Sequence, residues 1–238
     1  MIRIIEIGDI AWQGVTEPIF CRGDDGFEYV VKGRHAGYRS LIAEWVANRL
    51  GRELGLPIPE IAQMKIAPTL FDYGGDPAKL AKLGRGTLFG SRRVANVVEI
   101  RERDLRDIDI ELQAKVLAFD WWVANADRVF VQGKGNPNLL WAEDTGQLVV
   151  IDFNNAFLLA DRDDFWEGHA FREAKVVWTQ AFQNFLNREF REALSHLQVV
   201  WNELPEEWLE TNTEFSLAAL ESILWKFETD AITFWNPL

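Results

Sequence analysis

The sequence contains very little cysteine or histidine, which limits its disulfide and metal chemistry. Cys21 is the only cysteine among 238 residues, so the chain cannot form an internal disulfide bond. The only histidines are His35, His169 and His196, and their spacing does not match that of zinc ligands. The sequence therefore disfavours a structural zinc site.

Basic charge and long apolar runs are also scarce. The chain has 25 lysines and arginines against 37 aspartates and glutamates, a formal net charge of -12, and a field of that sign repels nucleic acids and anionic membranes. The most apolar segment, 116–126, is shorter than the ~20 residues of a membrane helix. It also contains Asp120 and Asn125. The first ten residues lack the basic and apolar regions of a signal peptide. We therefore expect a cytoplasmic protein without a nucleic-acid or membrane partner.

Hydropathy patterns divide the chain into a β-rich first part and a mainly helical second part. Alternating apolar residues predict strands over 2–7, 18–22, 27–32, 58–67 and 86–94. Helical spacing predicts helices over 40–54, 109–126, 172–188, 191–204 and 217–234, with a β-hairpin at 138–141 and 148–151. Residues 72–86 read as a surface loop. The fold class is therefore α+β, with a β-rich lobe over 1–94 and a larger helical lobe over 95–238.

Two charged residues of the first lobe suit the binding of a nucleotide. Phosphoryl transfer needs a cation on the ATP phosphates. Lys32 ends a predicted strand, and Glu44 lies on the next helix, where it could hold the lysine extended. A lysine and a glutamate in such positions are more often a solvated surface pair. Thr16 lies in a glycine-containing bend that could cover a phosphate, and an ordinary β-turn explains the same bend equally well.

Three polar residues of the second lobe frame the predicted hairpin. Asp127 follows a long helix, Asn138 enters the hairpin and Asp152 leaves it. Because the two termini of a hairpin lie side by side, these oxygen-bearing side chains should converge. Mg²⁺ is a hard cation that prefers such oxygen ligands. Each residue taken alone is also typical of a turn cap, so the prediction depends on the ordered set.

These segments resemble those of a known kinase family. N-A-D-R, N-P-N-L-L and V-V-I-D-F are similar to the catalytic and metal-binding segments of the HipA-like kinases, and E-Y-V-V-K with the helix after it matches the family's strand lysine. The resemblance spans roughly residues 12–160. It implies a two-lobed protein-kinase-like fold that uses ATP and Mg²⁺ and phosphorylates a serine or threonine of a protein.

The resemblance also implies a role for each site residue. Asp127 would be the catalytic base, Asn138 and Asp152 would bind Mg²⁺, and Lys32 with Glu44 would hold the nucleotide. The loop at 129–137 is longer than in most kinases, which leaves Asn136 as a rival metal ligand. We prefer Asn138 because two apolar strand residues follow it directly.

Three other functions fit parts of the sequence. The weak phosphate loop is compatible with a pseudokinase that binds nucleotide and acts as a regulatory module. A lipid or small molecule could replace the protein as acceptor. A helical interaction protein would explain the tryptophan-rich second half, since most of the 11 tryptophans fall there, but it leaves the first 160 residues unexplained.

Overall fold

A computed structural model of the chain describes residues 1–11, 17–73, 76–158, 162–210 and 215–236. The chain divides into two compact units. The first comprises Met1–Trp45, Pro59–Ala95 and Leu204–Glu214, and the second comprises Val46–Ile58, Asn96–Glu203 and Phe215–Leu238. Within the described ranges, no helix is both long enough and apolar enough to cross a membrane.

Strands and helices alternate in the first half, and helices dominate the second. The strands are β1 (Ile2–Ile10), β2 (Ile19–Gly23), β3 (Glu28–Lys32), β4 (Ile61–Ile66), β5 (Leu88–Arg92), β6 (Val97–Glu99), β7 (Leu139–Ala142) and β8 (Gln147–Val150). The helices are α1 (Tyr38–Glu53), α2 (Pro68–Tyr73), α3 (Pro77–Leu83), α4 (Ile110–Trp122), α5 (Arg162–Gly168), α6 (Gln180–Ser195), α7 (Leu197–Asn202), α8 (Glu206–Glu210), α9 (Leu217–Leu224), α10 (Lys226–Thr229) and α11 (Ala231–Trp235). Short 3₁₀ helices cover Arg34–Ala36, Asp104–Asp107 and Arg172–Val177. The predicted α+β class is confirmed.

The strands of the first unit form a closed barrel in the order β1-β2-β3-β5-β4. The predicted β2–β3 hairpin is antiparallel and pairs Cys21 with Tyr29, and β4 closes the barrel by pairing in parallel with β1. Apolar side chains that alternate along these strands face the interior. They form, with one leucine from α3, a core of Ile4, Ile19, Cys21, Tyr29, Val31, Met64, Ile66, Leu83 and Leu88.

Segment 204–210 belongs to the barrel unit although it lies far from the strands in sequence. Trp208 on α8 is fully buried, and its indole Nε1 donates to the carbonyl oxygen of Thr87 at 2.9 Å. The carboxylate of Glu207 accepts a hydrogen bond from the backbone N–H of Thr87. A late segment of the chain therefore completes the surroundings of the residue that precedes β5.

The second unit combines a small sheet with a helical core. The strand order is β6-β7-β8, so the predicted hairpin is confirmed and gains a third strand. Trp122 on α4 stacks on Phe190 of α6, with ring centroids 4.2 Å apart, and its indole donates to the Leu224 carbonyl at 2.7 Å. Trp121 donates to the Phe234 carbonyl at 2.9 Å. The tryptophans thus fill helix interfaces, as their bulk predicts.

Four predicted elements differ from the structure. Residues 72–86 are not simply a loop, because α3 lies within them. Its N-cap Asp76 accepts a hydrogen bond from the Ala78 N–H at 2.8 Å, and Gly84 ends it with a φ of 76°. The predicted helix at 217–234 is three shorter helices, because the backbone leaves helical geometry at Trp225, with ψ 0°, and at Asp230, with φ -138°. The predicted helix at 172–188 begins as a 3₁₀ segment. The predicted break between 188 and 191 is wrong, because α6 runs on to Ser195 and α7 begins at Leu197.

Candidate functional site

The first unit holds a buried ion pair between Lys32 and Glu44. Lys32 is the last residue of β3, and its Nζ lies 2.5 Å from Glu44 Oε1 on α1. The two side chains are only 5% and 2% exposed, so this is not the solvated surface pair that would be the commoner outcome. A buried charge is costly without its partner. The pair therefore fixes the lysine at the end of its strand.

Gly33 follows Lys32 directly and lies against the end of α3. A Cβ atom at this position would lie 2.2 Å from the carbonyl oxygen of Leu83. That atom belongs to the backbone and cannot swing away. Only glycine lets α3 approach the chain this closely. In the sequence K-G at 32–33, the lysine therefore forms the ion pair and the glycine allows the packing of α3 beside it.

In the second unit, the structure brings together the three polar residues that the sequence predicted to converge. The side-chain Nδ2 of Asn138 donates to Asp127 Oδ2 at 3.3 Å. The first pair of the hairpin joins Leu139 to Val150, and the N–H of Ile151 donates to the Asn138 carbonyl at 3.1 Å. Asp152 follows directly and lies close enough to Asp127 for their charges to interact.

The electrostatics of this group favour a basic Asp127. Burial raises the pKa of its carboxyl above the usual value, and the neighbouring charge of Asp152 raises it further. Hydrogen bonds from Asn155 and Asn138 act in the opposite direction. The pKa of Asp127 is raised overall because a half-buried carboxylate loses part of its hydration, which disfavours the charged form. Asn155, which the sequence analysis did not single out, is therefore a further neighbour of the candidate base.

The two asparagines of the loop have different roles. Asn136 is exposed, and its Oδ1 accepts the backbone N–H of Asn138 at 3.4 Å. Asn138 is buried and has a φ of 51°, a left-handed conformation that asparagine tolerates better than most residues. Asn138 thus faces Asp127, whereas Asn136 shapes the turn before it. The preference for Asn138 as the metal ligand stays a prediction.

Oxygen donors at this end of the hairpin fit a magnesium ion. Asn138 uses its amide nitrogen toward Asp127, so its Oδ1 is the atom that a cation would contact, and Asp152 supplies a carboxylate. Among the described residues, no three histidine, cysteine, aspartate or glutamate side chains form a metal-binding cluster. A small number of protein ligands is enough for Mg²⁺, because this ion keeps several waters and also binds substrate phosphate oxygens. Thr16, the remaining predicted site residue, lies outside the described residues.

Arg128, the residue next to Asp127, has a role that the sequence did not predict. Its side chain is fully buried. The guanidinium Nη1 donates to the carbonyl oxygens of Pro137 at 3.0 Å, Asn138 at 2.8 Å and Ile151 at 3.3 Å. These carbonyls lie on both chain segments that carry the candidate metal ligands. The arginine therefore ties the two ends of the hairpin to the loop of Asp127.

Asp120 on α4 neutralises the arginine. Its Oδ2 accepts from Arg128 Nε at 2.6 Å and lies 3.1 Å from His169 Nε2, while its Oδ1 accepts from Asn125 Nδ2 at 2.7 Å. Burial alone would raise the pKa of Asp120, but the charge of Arg128 and the hydrogen bond from His169 outweigh it and lower that pKa. The only sign of this role in the sequence was that Asp120 is a charged residue within the most apolar segment.

Comparison with protein-family models decides the family. The model described as HipA-like kinase matches residues 4–238. The chain belongs to the HipA-like kinase family. The match covers both units, including the helical part after residue 160, where no motif was found in the sequence. The predicted resemblance is confirmed. No curated protein sequence matches the chain.

Two solved structures are similar to the chain at low identity. The proinflammatory kinase CtkA of Helicobacter pylori aligns over 92% of this chain and 90% of its own, with 14% identity and a TM-score of 0.42. CtTel1 in its open conformation aligns over 98% of this chain but 12% of its own, with 14% identity and a TM-score of 0.25. Neither likeness is strong enough to assign residues or substrates.

Proposed function

We propose that the protein is an ATP- and Mg²⁺-dependent kinase of the HipA-like type whose acceptor is a serine or threonine hydroxyl of a protein. The observation that carries the proposal is the convergence of Asp127, Asn138 and Asp152 at one end of the β7–β8 hairpin. A carboxylate base beside an amide and a second carboxylate supplies what phosphoryl transfer needs from this part of a kinase.

Each site residue has a distinct task in this reaction. Asn138 and Asp152 would hold Mg²⁺, which neutralises charge on the phosphate oxygens. Lys32, held extended by Glu44, binds phosphate oxygens of ATP. Asp127 orients the acceptor hydroxyl and takes its proton as the hydroxyl oxygen bonds to the γ-phosphorus. The bond from that phosphorus to the β-phosphate oxygen then breaks, and ADP leaves.

The finer architecture is part of the same proposal. Residues 1–94 would form the nucleotide-binding lobe of a protein-kinase-like fold, and residues 95–238 would form the catalytic lobe. The buried Lys32–Glu44 pair supports the first assignment, because it holds in place a lysine of the kind that binds the ATP phosphates in kinases. The hairpin site supports the second. The cytoplasm is the proposed compartment, because ATP is abundant there.

The decisive experiment combines nucleotide binding with transfer. Purified protein with ATP and Mg²⁺ should melt at a higher temperature than without them, since a ligand at about 100 times its Kd adds roughly 2.7 kcal/mol of stability. Asp152→Ala should lose this shift while keeping its melting temperature in the absence of ligand. Asp144→Ala is the matched control, because Asp144 lies in the turn at the other end of the same hairpin.

Labelled ATP then distinguishes the candidate activities. Transfer to the protein itself or to proteins of a lysate supports the proposed kinase. If phosphate is transferred only to a lipid or small-molecule fraction, the acceptor is a hydroxyl of such a molecule and not of a protein. Mg²⁺-dependent binding without any transfer would overturn the catalytic assignment in favour of a nucleotide-binding regulatory module.

A further inference from the structure

A buried network of three side chains lies behind the candidate site. Asp120, Arg128 and His169 are each at most 1% exposed. Asp120 comes from α4 and Arg128 from the loop that carries Asp127, whereas His169 follows α5. The sequence separates Asp120 from His169 by 49 positions. The Asp120 carboxylate therefore joins an arginine eight positions away to a histidine 49 positions away.

The hydrogen bonds of His169 define its tautomer. The backbone N–H of Phe171 donates to His169 Nδ1 at 3.0 Å, so this nitrogen accepts and carries no proton. The proton of the neutral ring is then on Nε2, where it points to Asp120 Oδ2 at 3.1 Å. The histidine acts as a neutral donor to the aspartate.

The segment around His169 is also bound to the loop of Asp127 through its backbone. The N–H of Ala170 donates to the Arg128 carbonyl, and the N–H of Phe130 donates to the Gly168 carbonyl, each at 2.9 Å. Arg172 adds a hydrogen bond from Nη1 to the Phe130 carbonyl at 3.3 Å. These contacts fix the loop of Asp127 to the segment around His169, and the Arg128 side chain fixes the same loop to the two ends of the hairpin.

The network ends at strained backbone. Asn138 and Asp152 have φ values of 51° and 60°, which cost free energy for any residue other than glycine and persist only when the surroundings hold them. Arg128 donates to the carbonyl of Asn138 itself and to that of Ile151, the residue before Asp152. Its own orientation depends on Asp120. A buried ion pair contributes little stability compared with apolar packing, so geometry is the better reason for its presence here.

We infer that His169 and Asp120 are positioning residues that act through Arg128 to hold Asn138 and Asp152 in the geometry needed for Mg²⁺. The inference rests on the proposed function, because it explains how that same site is kept in shape. His169 is the informative member to change. Loss of Asp120 would leave a buried, unpaired arginine, and such a variant would misfold for that reason alone.

The test compares two substitutions at one position. His169→Gln retains an N–H donor near the place of Nε2, whereas His169→Phe keeps an aromatic ring but removes the donor. Loss of a group that hydrogen-bonds directly to a metal ligand commonly costs 10- to 100-fold in metal affinity or activity. His169 acts through Asp120 and Arg128, so the lower end of this range applies. We therefore expect His169→Phe to raise the Mg²⁺ concentration for half-maximal ATP binding by roughly 10-fold relative to wild type. His169→Gln should need a Mg²⁺ concentration close to that of wild type.

A measurement on the metal-free protein separates positioning from general stability. Hydrogen exchange of the Ile151 amide, which donates to the Asn138 carbonyl, should accelerate in His169→Phe more than exchange in the barrel strands. His196→Phe is the matched control, because His196 lies in the same unit and its side chain is 49% exposed. It should match wild type in both measurements.

The outcomes distinguish this inference from the proposed function. If wild type binds Mg·ATP but folded His169→Phe has the same Mg²⁺ dependence and the same Ile151 exchange, the positioning role is wrong. An equal loss in His169→Phe and His169→Gln would also overturn it, since the donor would then be irrelevant. If wild type itself binds no Mg·ATP, the proposed function fails, and the exchange measurement still decides whether the network holds the hairpin.

Discussion

Asp127 is the residue on which the catalytic assignment depends. It is half-buried beside Asn138 and Asn155, and burial raises the pKa of its carboxyl. Because the carboxylate would accept a proton and would not hold nucleotide, Asp127→Asn should leave ATP affinity nearly unchanged. General-base and positioning roles are worth about 10² to 10⁴ in rate, so turnover should fall by that factor. Calorimetry for binding and steady-state kinetics for kcat check the two halves of this prediction.

Glu143→Gln provides a control for Asp127→Asn, because Glu143 is an exposed carboxylate in the turn of the β7–β8 hairpin. It should retain wild-type turnover. Transfer by Asp127→Asn at the wild-type rate would show that the general base lies elsewhere.

His169 should also make stability depend on pH. Burial lowers its pKa below the value of about 6.5 found in unfolded chains, and the charge of Arg128 and Arg172 acts in the same direction, while Asp120 opposes it. Below that value the unfolded chain binds more protons than the folded one. The stability that the neutral ring contributes is therefore complete above about pH 6.5 and is lost as the pH falls.

Melting curves at a series of pH values test this dependence on the isolated protein. Wild type should exceed His169→Gln in melting temperature most at about pH 8, and the difference should shrink toward about pH 5 because glutamine does not titrate. A difference that stays constant over this range would contradict a neutral, buried histidine.

At the scale of elements, local sequence patterns predicted the parts whose partners are close along the chain. The β2–β3 and β7–β8 hairpins have short turns, so their registers follow from alternation and turn residues. The adjacency of Asn138 and Asp152 followed from the hairpin alone. Lys32 could be matched to Glu44 because they lie on a strand and on the α-helix that follows it, 12 positions apart. These arguments need only neighbouring elements.

Elements defined by distant contacts escaped prediction. The three-residue strand β6 exists because it pairs with β7 some 40 positions later, and α3 is stabilised by Leu80 and Leu83 against the barrel. Neither is long enough to show a helical or alternating period. His169 was missed for the same reason, since no local pattern connects it to Asp120. The closure of the barrel by β1 and β4 was likewise invisible in the strand patterns.

At the scale of the whole molecule, the barrel unit depends on a segment from the far end of the chain. Trp208 is fully buried, and its Nε1 donates to the Thr87 carbonyl. Trp208→Ala should therefore destabilise the protein by about 3–5 kcal/mol, the usual cost of emptying such a site. Denaturant unfolding measures this loss as a fall in the midpoint.

Trp208→Phe separates the two contributions of the tryptophan. It keeps most of the apolar bulk and loses the hydrogen bond, which leaves a buried carbonyl unsatisfied at a cost of about 1–3 kcal/mol. The expected order of stability is wild type, then Trp208→Phe, then Trp208→Ala. Equal midpoints for all three proteins would mean that α8 is not part of the barrel's support.

The place of α8 in the barrel unit also constrains how the protein is made. The barrel strands, which end at Arg92, leave the ribosome early, whereas Trp208 follows only after residues 96–203 have been synthesised. At translation rates of about 5–20 residues per second, this interval lasts roughly 5–20 seconds. During that time the nascent barrel lacks Trp208, the hydrogen-bond donor to the Thr87 carbonyl. Until Trp208 appears, the nascent barrel should therefore be less stable than the finished one.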